Sequence, residues 1–168
     1  MLQSFIPVTP ESHFPIQNLP YGIFSTPEDE RCRVGVAIGE FVLDLAALEE
    51  TGHLKTTNTF NQPSLNHFMA LGRSAWNETR ATLQRLLAAD TPTLRDNLAL
   101  RQQALHPIAE VTLHLPADIG DYTDFYSSKE HATNVGMMLR SKEDPLLPNW
   151  IHLPVAYHGR ASSVVISG

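Results

Sequence analysis

Within seventeen residues the chain carries Asp124, Tyr126, His131 and Arg140: a carboxylate, a phenol, an imidazole and a guanidinium. Each has a distinct chemical use. Asp124 offers oxygens to a hard cation such as calcium or magnesium. His131 is the side-chain type that takes a proton from water near neutral pH. Arg140 presents a fork that matches a carboxylate, and the Tyr126 hydroxyl can bond a carbonyl or carboxylate oxygen. One carboxylate is a poor calcium or magnesium site, because such cations take several oxygens, so further ligands must come from elsewhere.

The local sequence shows how three of these groups converge. Ser127-x-x-Glu130 is a capping-box pattern that opens a helix. With Ser127 as N-cap, Tyr126 precedes the cap and packs against His131 in the manner of a hydrophobic staple. Asp124, two residues earlier in an extended lead-in, points to the same side as Tyr126. A helix N-terminus disfavours positive charge, which suits a proton acceptor at His131, and a cation at Asp124 acts in the same direction. The competing reading is structural. In it Ser127 only caps, Tyr126 only packs, His131 is a surface residue and Arg140 pairs with Glu143 or Asp144. Spacing alone does not decide between the two.

The remainder must hold this segment. Apolar residues make up 42% of 168, which fits a globular chain rather than a disordered one. The net charge of −6 without long runs argues against nucleic acid or an anionic membrane as partner. No apolar stretch approaches the roughly 20 residues of a membrane span. Residues 1–7 lack the basic start and apolar core of a signal peptide. The one cysteine, Cys32, cannot form an internal disulfide and reads as an incidental thiol, so a cytosolic home is expected.

Pro7, Pro10, Pro15, Pro20 and Pro27 mark an irregular lead with a strand piece at 21–24. Residues 33–38 alternate, Gly39-Glu40 turns, and 41–45 returns: a hairpin. Asp44 opens a short helical piece. Ser64 is expected to cap a longer helix with Leu65, Phe68, Met69, Trp76, Leu83, Leu86 and Leu87 as its core stripe. Thr91-Pro92 breaks it, and Leu94, Leu98, Arg101 and Leu105 form a second amphipathic stretch ending at Pro107. His53 and His67 have no partners at metal-ligand spacing. Residues 111–116 read as a strand, with a domain boundary near 116. Beyond it, loops dense in polar and aromatic residues mark a site. Residues 164–168 read as the start of a strand, so the chain is expected to be a fragment of a longer protein.

Three segments carry a resemblance: 120–128 (Gly-Asp-Tyr-Thr-Asp-Phe-Tyr-Ser-Ser), 131–136 (His-Ala-Thr-Asn-Val-Gly) and 154–163 (Pro-Val-Ala-Tyr-His-Gly-Arg-Ala-Ser-Ser). Residues 14–22 and 60–66 extend it toward the N-terminus. Together they resemble the fumarylacetoacetase family over nearly the whole chain. The resemblance implies an α+β protein, mainly β with α. An SH3-like barrel domain with helices would span 1–116, and residues 117–168 would be the truncated start of a β-roll catalytic domain.

It also implies hydrolysis of the carbon–carbon bond of 4-fumarylacetoacetate to fumarate and acetoacetate, the last step of tyrosine catabolism. By resemblance Asp124 is a metal ligand, His131 the base that activates water, and Tyr126, Arg140 and Tyr157 hold substrate. Calcium or magnesium is the implied cofactor, with its other ligands downstream of Gly168. The full-length protein is expected to be a homodimer. Two alternatives stand beside this. One is a hydrolase or decarboxylase of the same superfamily acting on another β-diketo acid, although such members usually lack the N-terminal domain. The other is a non-catalytic interaction module that pairs through an open strand at 164–166.

Overall fold

The computed structural model describes residues 2–159 and 161–166. Its chain divides into two compact units, one built on residues up to Asp118 and the other on Ile119–Val165. In the first unit, β-branched and aromatic residues build the strands β1 (Tyr21–Ser25), β2 (Arg33–Ile38) and β3 (Phe41–Asp44). The expected hairpin joins β2 to β3, with Ile38 opposite Phe41 and Gly39-Glu40 between them. Gly39 has φ +55°, and a Cβ there would lie 2.6 Å from the Pro7 carbonyl oxygen. Only glycine meets both conditions at low cost.

Asp44 ends β3 and caps α1 (Leu45–Glu50), accepting a hydrogen bond from the Ala47 N–H at 3.1 Å. The helical region that follows departs from the sequence reading. Ser64 caps nothing; its hydroxyl donates to Asp118 at 2.9 Å. The long helix is two helices, α2 (Asn66–Ala70) and α3 (Gly72–Leu87), separated because Gly72 takes φ +80°. That break rotates the apolar stripe. Phe68, Leu83, Leu86 and Leu87 are buried, while Met69 and Trp76 are exposed.

Thr91-Pro92 does break the helix, and Pro92 starts α4 (Pro92–Arg95). Asn97 then caps α5 (Leu98–Ala104), which buries Leu100 and Ala104 rather than Leu98. The amphipathic stretch expected over 94–105 is thus cut at Asn97, whose side chain accepts from the Leu100 N–H at 3.1 Å. Strands β4 (Leu105–Pro107) and β5 (Thr112–His114) complete an antiparallel sheet of order β4-β3-β2-β1-β5. This mixed architecture with its curled five-stranded sheet is consistent with the SH3-like domain expected.

The proline-rich lead is not a loose arm. Ile6, Ile16 and Leu19 enter the same core as Val34, Val36, Leu43 and Leu87, and the Phe5 N–H donates to the Leu87 carbonyl at 3.1 Å. Prolines hide such positions from periodicity, because the chain bends between them.

The second unit is small: β6 (Asp124–Phe125), α6 (Lys129–Leu139) and β7 (Ala156–Tyr157), with 3₁₀ turns at Pro148–Ile151 and Ala161–Ser163. The strand expected over 164–168 does not form at 164–166, where no ladder partner fixes it; 167 and 168 lie outside the described residues. No helix among the described residues is long and apolar enough to cross a membrane.

Candidate active site

The site is built on a two-stranded sheet with two residues in each strand. β6 and β7 pair antiparallel, with Asp124 opposite Tyr157 and Phe125 opposite Ala156. The Tyr157 hydroxyl donates to Asp124 Oδ2 at 2.5 Å. A cross-strand pair is the closest side-chain neighbour a sheet can offer, so register alone brings together two of the residues singled out by sequence. Pairing continues one step, as the Tyr126 N–H donates to the Val155 carbonyl at 2.8 Å. Asp124 and Tyr126 then share one side of the extended segment.

The helix start differs by one residue from the capping box. Ser128, not Ser127, is the N-cap of α6, and its Oγ accepts from the His131 N–H at 3.3 Å. Ser128 has the extended backbone of a cap, φ −77° and ψ 120°, and its hydroxyl lies 3.4 Å from a Glu130 carboxylate oxygen. His131 therefore stands at the third helical position, where the N-cap oxygen finds its N–H. The expected neighbours still meet. The Tyr126 and His131 rings lie edge to face, centroids 5.6 Å apart at 77°. The Tyr126 hydroxyl does not lie idle: it donates to the Ala132 carbonyl at 3.1 Å.

Arg140 is not brought to this group. It ends α6, nine residues beyond His131, which is about 14 Å of helical rise. Its guanidinium donates to the Pro145 carbonyl at 3.3 Å, and among the described residues no ion pair joins it to Glu143 or Asp144. Gly136 makes that turn possible, since a Cβ there would overlap the Pro145 backbone.

The sequence that precedes this site settles the family. A family model described as Fumarylacetoacetase N-terminal matches residues 17–116. The chain belongs to that family. Fumarylacetoacetase relatives match through the site as well. That of Dictyostelium discoideum is 57% identical over 172 residues, taking in 100% of this chain and 40% of the relative. That of Homo sapiens is 59% identical over 169 residues, 98% of this chain and 40% of its own length. That of Arabidopsis thaliana is 53% identical over 173 residues, 100% of this chain and 41% of its own. The chain thus spans about 40% of the length of these relatives.

Within this fumarylacetoacetase-family chain, one contributor escaped the sequence reading. Trp150 donates its indole N–H to the Tyr126 carbonyl at 2.8 Å. With Tyr126, Ile151, His152 and Val155 it lines a cavity of about 430 Å³. The tryptophan stood in a loop already marked as rich in aromatics, but its partner lies 24 residues away and no periodicity links them.

The donor set can also be tested against a divalent cation. Asp124 has one oxygen engaged by Tyr157, and among the described residues no group of three or more His, Cys, Asp or Glu side chains is placed to hold a metal ion. Calcium takes six to eight oxygens. The described residues do not fit a complete site, although Asp124 remains able to contribute one carboxylate to a larger one.

Proposed function

We propose that the protein at the full length of its relatives hydrolyses 4-fumarylacetoacetate to fumarate and acetoacetate, with His131 activating the water. The observation that carries this reading is the meeting of Tyr126 and His131 at the start of α6, on the segment that also pairs Asp124 with Tyr157. His131 takes a proton from water as the oxygen adds to the carbonyl carbon beside the fumaryl double bond. The bond from that carbon to the neighbouring methylene then breaks. Its electron pair leaves with acetoacetate as an enolate, which is protonated. Tyr126 and Tyr157 offer hydroxyls to substrate oxygens once these exchange the Ala132 carbonyl and the Asp124 carboxylate for them, and Arg140 offers its fork to a carboxylate once it exchanges the Pro145 carbonyl for it. Turnover in ¹⁸O-labelled water tests the step. Label in the fumarate carboxylate is expected; unaltered substrate overturns the reading.

Asp124 is proposed as one carboxylate ligand of calcium or magnesium, the rest being supplied by parts of the protein outside this chain. Residues 1–168 alone are accordingly expected to bind calcium weakly or not at all. Calorimetric titration checks this, and micromolar affinity would contradict it. A cytosolic location and a homodimer belong to the same proposal.

Arg140→Gln in the full-length protein is expected to raise KM for 4-fumarylacetoacetate by about 10-fold or more. The reason is that one charge-assisted hydrogen bond is worth roughly 1.5–3 kcal/mol. Steady-state kinetics reads it. Unchanged KM and kcat would remove Arg140 from the site.

A further inference from the structure

We infer that Trp150 is a positioning residue for Tyr126, a role that rests on the proposed reading of Tyr126 as a substrate-holding group. Tyr126 sits between the two-residue strand β6 and the N-cap Ser128 of α6, inside neither element. Its backbone is instead clamped at both polar groups by one loop. The N–H donates to the Val155 carbonyl at 2.8 Å, and the carbonyl accepts the Trp150 indole N–H at 2.8 Å. The two anchors come from opposite ends of the segment 150–155, which the turn Pro148–Ile151 and the bonds from His152 and Leu153 to the Asn149 carbonyl hold in shape.

The indole N–H is a donor only, fixed in the plane of a large ring. It therefore sets the direction of the carbonyl it meets, and with it the peptide that carries the Tyr126 side chain. The phenol ring leaves this peptide nearly perpendicular to the His131 ring, and its hydroxyl reaches the Ala132 carbonyl. Trp150 touches neither His131 nor Asp124 through any hydrogen bond among the described residues. It acts on the site through Tyr126. Trp150 and Tyr126 are both among the residues that line the cavity of about 430 Å³.

Trp150→Phe removes the N–H and keeps a ring, so it isolates this contact from packing. In the full-length protein it is expected to raise KM for 4-fumarylacetoacetate about fivefold, the equivalent of one neutral hydrogen bond, with kcat within about twofold and thermal stability nearly unchanged. In a Tyr126→Phe background the same substitution is expected to add little, because both act through one side chain. An unchanged KM in the single variant, or fully additive effects in the double variant, overturns the inference. Indole N–H exchange measured by NMR keeps the test independent of turnover. The Trp150 signal, assigned by its loss in Trp150→Phe, is expected to be protected, and fast exchange overturns the inference even where activity is absent. If the wild-type protein leaves substrate intact while that signal is protected, the proposed function fails and the placement of Tyr126 by Trp150 stands.

Discussion

His131→Ala in the full-length protein is expected to reduce hydrolysis of 4-fumarylacetoacetate by about 10²–10⁴-fold, the usual cost of removing a general base. The structure says why folding would survive. The cap bond at the start of α6 runs from the His131 backbone N–H to Ser128 Oγ, so the substitution leaves it in place. Alanine is also the better helix former. The imidazole itself is exposed and, among the described residues, makes no side-chain hydrogen bond; its close partner is the Tyr126 ring. Losing an exposed ring removes little packing. Circular dichroism should therefore be unchanged, and the dissociation constant of a substrate analogue should move far less than kcat. Near-normal turnover would reject His131 as the base.

The second large effect lies in the other unit. Asp44→Ala is expected to destabilise the protein by about 3–5 kcal/mol, the range for breaking a buried ion pair by removing one partner. Asp44 Oδ2 accepts from Arg33 Nε at 2.6 Å, with both side chains about 5% exposed. The same carboxylate caps α1, which alone is worth about 1 kcal/mol. Arg33 keeps hydrogen bonds to the Arg31 and Asp29 carbonyls at 3.1 and 3.4 Å, which points to the lower end of the range. Urea denaturation measures it; a loss under about 1 kcal/mol would show that the Asp29 carboxylate, 3.7 Å from Arg33 Nη1, and these carbonyls suffice for Arg33.

Burial opposes ionisation of Asp44 most strongly, but His106 and Arg33 together outweigh it and hold the carboxyl below its usual range. His106 Nε2 lies 3.7 Å from the carboxylate, beyond hydrogen-bond length, so the Arg33 contact is the firmer of the two. A depressed carboxylate stabilises the fold above its ordinary value of 3.8 and loses that contribution as pH falls through the lowered folded value. Asp44→Asn should flatten this acid limb while leaving the helix capped.

How far the sequence was legible follows from the range of each interaction. The hairpin at 33–44 and the helix opened by Asp44 were readable because their signals are local: alternation, a glycine turn and a cap within a few residues. The stripe through Met69 and Trp76 failed because a single glycine, Gly72, resets the helix, and nothing in apolar spacing announces a positive φ. Leu98 was expected inside and is exposed for the same reason, with Asn97 starting a new helix. In the candidate site, Tyr126 and His131 were paired correctly from a cap placed one residue early, since ring contact tolerates that shift. The Asp124–Tyr157 bond and the Trp150–Tyr126 bond span 33 and 24 residues, and such contacts depend on register that local patterns do not encode.

The most direct test of the account is the product analysis of 4-fumarylacetoacetate treated with the purified full-length protein. Hydrolysis predicts fumarate and acetoacetate in equal amounts, formed far more slowly by the His131→Ala variant. Intact substrate, or release of carbon dioxide without fumarate, would contradict it.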